Sequence, residues 1–241
     1  DMHDLIEQIC DEGYFFEVKE RFAKNVITGF TRIGGKVVGI VASNPQHKAG
    51  VIDTDAADKY SRFVRFCDLF NIPLVNIHDT PGFMIGSDQE WKGILRHGAK
   101  TLYSYIEATV PKITLIVRKS FAGAYLGMCC KDTGADLAFA WPNARITIVG
   151  PATAASVIFA KEIKSADNPE EVRKKRIDEY EEKYVNPYRA AERGWLDDVI
   201  EPADSRKYIY RALEILEDKT NKSSSVGRRR PMEKKYSNIN L

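Results

Sequence analysis

The chain has 241 residues, of which 44% are hydrophobic and 29% charged, and its formal net charge is +2 at pH 7. That length allows one large domain or two small ones, and the composition is ordinary for a globular protein with a full core. The near-balanced charge gives no electrostatic case for a nucleic-acid or membrane partner. No apolar run approaches the roughly 18 residues that span a bilayer, and no signal peptide is visible, so we expect no direct membrane insertion.

The cysteines and the first residue add two further expectations. Cys10, Cys67, Cys129 and Cys130 lie in apolar or helical surroundings without the spacing of metal ligands. Adjacent Cys129 and Cys130 would face different sides of a helix, so we predict both to be buried thiols in a reducing compartment, and we predict no bound metal. The chain begins with Asp1 rather than Met, which suggests a fragment or a processed chain.

The first half of the chain alternates between helical and extended patterns. A short amphipathic helix over 4–13 precedes strands at 27–33 and 36–41, which meet at Gly34-Gly35, a dipeptide suited to a two-residue hairpin turn. A loop over 43–50 leads to a helix over 56–70, whose N-cap candidates are Asp53, Thr54 and Asp55. A buried strand at 72–77 runs into the turn HDTPGF (78–83), and a loop over 84–93 precedes a helix over 94–109.

The second half continues the alternation of strands and helices. The elements predicted there are strands at 112–117, 135–140 and 145–149, helices at about 123–130, 151–160, 169–183 and 205–218, and a short helix and strand within 186–202. Composition then becomes polar and basic, which predicts a tail over 219–241. Its run Arg228-Arg229-Arg230 could contact phosphates, although we favour a solvated tail. The whole pattern predicts one α/β domain over 1–218, built from repeated strand–strand–helix units.

The stretch LIVRKSFAGAYLGMCCKDTG (115–134) stands at the centre of this pattern. A buried strand is followed by small residues, Ala122, Gly123 and Ala124, that begin a helix. The first turn of a helix carries unpaired N–H donors and a partial positive charge, so it suits an oxyanion. Alternatively, the small residues only let helix and strand pack closely.

Few side chains suggest chemistry of their own. His78 and Asp79 end a buried strand, a common position for a catalytic pair, but Asp79 also reads as a turn former whose carboxylate caps backbone N–H groups, and we favour that interpretation. His97 beside Arg96 could act as an acid or base, or could be a satisfied structural residue. Ser120 lacks a G-x-S-x-G context, and neither a Walker-type loop nor G-x-G-x-x-G occurs, so we predict no nucleotide site. Chemistry by backbone donors remains.

Longer stretches of the chain resemble one family. They are AGVIDTDAADKYSRFVRFCDLFNIPLV (49–75), DTPGFMIGSDQEWKGILRHGAKTLY (79–103), KSFAGAYLGM (119–128), ADLAFAWPNARITIVGP (135–151), YEEKYVNPYRAAERGWLDDVIEP (180–202) and KKYSNINL (234–241). They resemble the C-terminal half of the carboxyltransferase (beta) subunit of biotin-dependent acyl-CoA carboxylases. That family includes propionyl-CoA carboxylase, transcarboxylase and the decarboxylase alpha subunits.

The resemblance implies a crotonase-like (ClpP/crotonase) fold and transfer of a carboxyl group between N-carboxybiotin and the α-carbon of a short-chain acyl-CoA. It implies an oxyanion hole for the biotin side, made by the backbone N–H groups of Gly123 and Ala124. The substrate-binding residues that it implies are Ala122, Tyr125, Leu126, Pro81, Gly82, Phe83 and Gly150. Biotin would arrive on a carrier protein rather than be attached to this chain.

The same resemblance implies several partners. They are an N-terminal carboxyltransferase domain with its own glycine-rich oxyanion hole, a biotin carboxyl carrier protein and a biotin carboxylase subunit. The active site would lie at a dimer interface of a homo- or hetero-oligomer in the cytoplasm, or in the mitochondrial matrix of a eukaryote. Nothing in this sequence can be the glycine-rich N-terminal domain, so we expect another segment or chain to supply it.

Two positions and one four-residue stretch depart from the family pattern. The family usually has Gly where this chain has Ala122, and Asp or Ile where it has Leu126, so the acyl group stays open. After Gly150 the family commonly continues Ala-Glu-Gly-Ala, whereas this chain has PATA (151–154). Two alternatives to a carboxylase component remain open: a decarboxylase subunit that runs the same chemistry in reverse, and a non-catalytic assembly domain. A crotonase-type hydratase is less favoured, because no pair of carboxylates can be placed on the turn.

Overall fold

One mixed β-sheet runs through the part of the chain that the computed structural model describes, residues 1–219. Its strands are β1 (Phe15–Glu17), β2 (Val26–Ile33), β3 (Lys36–Ser43), β4 (Leu74–Thr80), β5 (Lys112–Phe121), β6 (Leu137–Ala140), β7 (Arg145–Thr147) and β8 (Asp198–Val199). The spatial order is β1-β2-β3-β4-β5-β6-β8, and β7 pairs with the end of β5. β1, β2 and β3 are antiparallel, and from β3 onward neighbouring strands run parallel.

Helices cover both faces of this sheet. They are α1 (Met2–Ile9), α2 (Thr54–Leu69), α3 (Ser87–Trp91), α4 (Ile94–Glu107), α5 (Ala122–Gly127), α6 (Pro151–Ile158), α7 (Ala160–Ser165), α8 (Pro169–Tyr184), α9 (Pro187–Glu192) and α10 (Ser205–Ile215). α1 and α10 contribute to one hydrophobic cluster, and α2, α4 and α5 to another on the opposite side. None of the helices within residues 1–219 is long and apolar enough to cross a bilayer.

Two local predictions about helix and strand ends are confirmed. Gly34 and Gly35 form the two-residue turn between β2 and β3 with φ of 61° and 78°, values that glycine adopts without strain. The Asp11 carboxylate accepts hydrogen bonds from both of their N–H groups, at 2.8 and 2.7 Å. Of the N-cap candidates for α2, Asp53 holds the position, and its carboxylate accepts from the Ala56 N–H at 2.9 Å.

The structure adds elements that the sequence pattern did not predict. β1 is a three-residue edge strand, α3 forms inside the predicted loop 84–93, and α7 follows α6. β5 continues to Phe121, four residues past the predicted end, because β7 and the end of β4 supply backbone partners for that segment. Of the predicted tail over 219–241, Lys219 donates to the Asp136 carboxylate at 2.6 Å. The remaining tail residues, including Arg228-Arg229-Arg230, lie outside the described residues.

Candidate functional site

The head of α5 lies where three strand ends meet. Ser120 of β5 pairs with Thr80 of β4, and the next residue, Phe121, pairs with Thr147 of β7. Phe121 is the N-cap of α5 and makes no side-chain capping bond. The first-turn amides of an α-helix have no acceptor within the helix, so Gly123 and Ala124 bring two such N–H groups to this edge of the sheet. Gly123 is exposed and Ala124 is buried, which places the pair at the boundary between surface and core.

Ala122 enters this helix with a left-handed backbone. Its φ is +54°, a value that costs a residue with a Cβ roughly 1–2 kcal/mol. Glycine adopts the same φ without that cost. The strain is local and lies next to the amide pair at the head of α5, and strained backbone of this kind is typical of functional turns.

The ring of Phe83 fills a slot walled by three glycines. A Cβ at Gly98 would stand 3.3 Å from Cε1 of Phe83, one at Gly123 would stand 3.3 Å from Cδ2, and one at Gly127 would stand 3.0 Å from Cζ. The turn before it is fixed as well, because the Gly82 N–H donates to Thr80 Oγ1 at 3.3 Å. These small residues therefore do allow close packing, although Gly123 and Gly127 pack on the ring of Phe83 rather than on a strand. This packing does not compete with the anion-site hypothesis, because the ring packs beside the residue that carries the exposed amide.

His78 is a buried residue whose hydrogen bonds connect neighbouring elements. It is fully buried; its Nε2 donates to the Met128 carbonyl at 2.7 Å and its Nδ1 accepts from Ser120 Oγ at 2.9 Å. Burial lowers the pKa of this imidazole to about 4, so the ring is neutral at neutral pH. Ser120 is also fully buried, so this Ser–His pair cannot meet a substrate as a nucleophile and base. His78 instead ties the end of β4 to β5 and to the end of α5.

The favoured interpretation of Asp79 as a turn former is wrong. Asp79 is buried, with 5% of the residue exposed, and its carboxylate pairs with the Arg118 guanidinium. Nε of Arg118 donates to Oδ2 of Asp79 at 2.9 Å, and Nη2 lies 2.8 Å from the same oxygen. Thr80 supplies the turn bond that was assigned to Asp79. Half-exposed Arg118 thus neutralises a buried carboxylate directly before the Pro81 turn. The catalytic alternative for the His78–Asp79 pair also loses its basis, because both side chains are occupied by structural partners.

The other predicted site residues are distributed around this turn. Tyr125 is buried, with its ring centroid 6.4 Å from that of Trp195, while Leu126 is partly exposed on the same short helix. Pro81 and Gly82 precede Phe83 in the turn that packs against α5. Gly150 is the N-cap of α6, three residues beyond the strand residue paired with Phe121, and it reaches this region only through the β5–β7 pairing. The structure therefore brings residues 81–83 against residues 122–127, and a Cβ at Gly150 would meet no atom within 4 Å.

His97 has the hydrogen-bond partners that the structural interpretation requires. Its Nδ1 lies 2.8 Å from Asp58 Oδ1, and the Lys100 ammonium donates to the same oxygen at 2.9 Å. Sequence reasoning missed three contributors to the site: Arg118, Gly98 and Gly127. Gly98 and Gly127 interrupt helical segments, where glycine is unfavourable, and that cost is the signal that could have marked them as contact points.

All four cysteines are free and buried, which confirms the burial predicted for Cys129 and Cys130. Burial raises the pKa of Cys67 and Cys129, so these thiols stay protonated and unreactive at neutral pH. Within residues 1–219 no three His, Cys, Asp or Glu side chains are grouped as metal ligands.

Known proteins match this chain over nearly its whole length. The carboxyl transferase domain family matches residues 1–231. Methylmalonyl-CoA decarboxylase subunit alpha of Propionigenium modestum is 50% identical over 240 residues, and the methylmalonyl-CoA carboxyltransferase 12S subunit of Propionibacterium freudenreichii subsp. shermanii is 53% identical over 215 residues. The chain spans 45% and 41% of those two proteins, about half the length of the curated relatives it matches.

Solved structures agree with the sequence matches. The transcarboxylase 12S structure with methylmalonyl-coenzyme A bound has a TM-score of 0.88 and 50% identity, covering 94% of this chain and 44% of that one. The beta subunit of geranyl-CoA carboxylase from P. aeruginosa has a TM-score of 0.82 at 27% identity, covering 95% of this chain and 44% of that one. The predicted crotonase-like α/β fold and the predicted likeness to the C-terminal half of such subunits are confirmed. The chain belongs to the carboxyl transferase domain family.

Proposed function

We propose that this chain is the biotin-side half of a carboxyltransferase. In the reaction, the carboxyl group leaves a ring nitrogen of N-carboxybiotin and forms a new bond to the α-carbon of a short-chain acyl-CoA. The α-proton returns to the biotin nitrogen, so atoms and charge balance without a metal or a redox partner. Negative charge develops on the ureido oxygen of biotin as the carboxyl group departs, and prepositioned N–H donors stabilise such charge.

The observation that carries this proposal is the amide pair at the head of α5. Gly123 is exposed, so a ureido oxygen can approach its N–H from the solvent side, and we propose that the N–H of the adjacent, buried Ala124 is the second donor. The helix end itself favours negative charge. We expect Ala122, Tyr125, Leu126 and Gly150 to border the bound substrates, with Pro81, Gly82 and Phe83 fixing the position of the turn.

A chain that spans about half of the related subunits is consistent with supplying only the biotin side of the active site. The relatives that this chain matches are about twice its length, so we propose that an amino-terminal carboxyltransferase domain, on another segment or chain, supplies the acyl-CoA side. A biotin carboxyl carrier protein would deliver the carboxyl group, and a biotin carboxylase subunit would load it. The transcarboxylase 12S relative assembles as a hexamer in a multienzyme core, which supports an oligomer with the site between subunits.

The reverse direction is the second candidate. A relative named as a methylmalonyl-CoA decarboxylase subunit alpha shares 50% identity, close to the 53% of the carboxyltransferase 12S subunit. Because both directions use the same donors, we propose the shared chemistry and leave the direction to the assay. A non-catalytic assembly role predicts no dependence on the amide of Gly123.

The test is transfer of labelled carboxyl from carboxybiotin to acetyl-, propionyl- or butyryl-CoA, and the reverse transfer, by this chain co-expressed with the amino-terminal half of the 12S relative. Gly123→Pro removes the N–H, whereas Gly123→Ala keeps it and adds a methyl 3.3 Å from the Phe83 ring. We expect the proline variant to lose on the order of 100-fold in turnover, as for the loss of one oxyanion donor, and the alanine variant to lose far less. Equal activities of the two variants, or no transfer to any acyl-CoA in either direction, would contradict the proposal.

A further inference from the structure

A small cavity lies between α2 and β2, and none of the predicted site residues lines it. Its volume is about 130 Å³, and the rings of Phe30 on β2 and of Phe63 and Phe66 on α2 line it. The Phe30 ring centroid lies 5.0 Å from that of Phe63 and 5.8 Å from that of Phe66. A cavity of about 150 Å³ lined by apolar side chains holds a benzene molecule. The cavity therefore has room for an apolar group of about the size of one aromatic ring.

The same cavity is lined by three cations, Lys19, Lys59 and Arg62, and by no acidic side chain among the described residues. Lys19 and Arg62 are exposed, so they lie on the solvent side of the cavity, whereas Lys59 is only 1% exposed. Three positive charges around one small volume attract an anion, and the low dielectric of a partly buried site strengthens that attraction.

Lys59 is a buried cation without an ion-pair partner among residues 1–219. Its Nζ donates to the Val26 carbonyl at 2.6 Å and to the Ala23 carbonyl at 3.4 Å. An ammonium group has three N–H donors, so one of them has no acceptor within the described chain. The nearby Glu17 carboxylate lies beyond ion-pair distance of Lys59 and instead contacts Nε2 of His3 at 2.9 Å. A buried charge without a partner is costly, and an added carboxylate offsets that cost.

These features select a ligand that has both an apolar body and a negative charge. A neutral hydrocarbon would fill the space beside the phenylalanine rings but leave Lys59 unpaired. An inorganic anion would pair with Lys59 but would gain nothing from the rings. A carboxylate on an aromatic ring satisfies both, because its oxygens accept hydrogen bonds from ammonium donors while the ring packs against apolar and aromatic surface.

We infer that the cavity between α2 and β2 is a binding site for a small aromatic carboxylate, held by Lys59 with its ring packed against the three phenylalanines. Lys19 and Arg62 add positive charge on the solvent side. This inference does not rest on the proposed function, because the residues that line the cavity include none from the turn at the head of α5.

The experiment titrates the full 241-residue chain with para-fluorobenzoate at pH 7 and follows the probe by fluorine NMR. The comparison ligand is para-fluorobenzamide, which has the same ring without the charge. Acetate, which has the charge without the ring, is added as a competitor. We expect saturable binding of para-fluorobenzoate, at least tenfold weaker binding of the amide, and no displacement by acetate at the concentration of the probe.

Two variants test where the probe binds. Lys59→Met keeps most of the apolar stem and removes the charge, whereas Val18→Phe adds a ring at a residue that lines the cavity and keeps all three cations. The matched control is Lys24→Met, an exposed lysine in the loop between β1 and β2 that does not line the cavity. We expect at least tenfold weaker binding in each test variant, unchanged binding in the control, and a cooperative thermal unfolding transition in all three.

Three results would each overturn the inference: no saturable binding of para-fluorobenzoate, equal affinity for its amide, or unchanged binding in the folded Lys59→Met and Val18→Phe chains. Binding that is lost in Gly123→Pro but retained in Val18→Phe would place the probe at the head of α5 and would overturn it as well. Because Val18→Phe leaves Lys59 in place, the test holds even if Lys59→Met does not fold.

Discussion

Acidification should expose the contribution of His78 to stability. In the folded chain the imidazole is fully buried and its pKa is about 4, below its ordinary value of 6.5, because burial disfavours the charged ring. Between those two pH values the unfolded chain binds a proton that the folded chain excludes. The free energy of unfolding therefore falls as the pH falls through this window.

The size of the effect follows from the difference between the two pKa values. At about 1.4 kcal/mol for each unit, a pKa of about 4 against 6.5 corresponds to about 3 kcal/mol that is present at pH 7 and mostly lost at pH 4. His78→Gln is the matched variant, because its amide can donate to the Met128 carbonyl and accept from Ser120 without titrating. Other histidines and carboxyl groups contribute equally to both chains and cancel in the difference.

The assay is urea unfolding, followed by tryptophan fluorescence, of both chains from pH 7 to pH 4. We expect the unaltered chain to be the more stable at pH 7 and its advantage over His78→Gln to shrink by about 3 kcal/mol at pH 4. A stability difference between the two chains that stays constant, or grows on acidification, would refute the interpretation of His78 as a neutral buried imidazole. It would mean that the ring is protonated in the folded chain, and a charged His78 would again be a candidate for chemistry.

Three further predictions concern backbone strain, a buried lysine and the aromatic slot. Ala122→Gly relieves about 1–2 kcal/mol of strain from the left-handed backbone, but it stabilises the unfolded chain by about 0.4–1 kcal/mol of conformational entropy. We therefore expect the free energy of unfolding in urea to rise by about 0.5–1 kcal/mol. A fall would show that the Ala122 methyl group makes stabilising contacts. Burial lowers the pKa of Lys59 to about 8 from 10.5, so the unfolded chain binds more protons than the folded chain between those pH values. The free energy of unfolding of the unaltered chain, relative to that of Lys59→Met, should therefore rise by up to about 3 kcal/mol from pH 7.5 to 10.5. A difference that falls over this range would contradict the assignment. Gly127→Ala places a methyl 3.0 Å from Cζ of Phe83 and should cost about 1–3 kcal/mol in the same assay, whereas no loss would mean that the ring moves freely.

Apolar periodicity was enough to predict most of the sheet and its covering helices. The hairpin at Gly34-Gly35, the cap at Asp53 and the succession of strand and helix after residue 70 depend on local patterns, and the structure contains each of them. The end of β5 could not be predicted in this way, because residues 118–120 are polar. They stay in the strand because β7 and the end of β4 supply backbone partners, and the side chains of Arg118 and Ser120 contact Asp79 and His78, which are about 40 residues away in sequence.

In the candidate site as well, features that depend on local sequence could be predicted, and features that depend on distant contacts could not. The small residues that begin α5 are visible in the sequence, because glycine and alanine mark a helix that starts without a side chain in front of it. The role of Phe83 was not visible, since its slot is built from Gly98 on α4 and from Gly123 and Gly127 on α5. Asp79 was misassigned for the same reason: a local turn is a reasonable partner for an aspartate until a distant arginine is brought to it.

The glycine slot around Phe83 has a consequence for how this region can change. The Phe83 ring occupies the space into which a side chain at position 98, 123 or 127 would project, so a methyl added at any of these positions competes with the ring. Substitutions at these four positions should therefore be non-additive, and a smaller side chain at 83 should rescue a larger one at 127. The orientation of the Gly123 and Ala124 amides then depends on the four residues together, so a substitution at any one of them restricts which substitutions the other three tolerate.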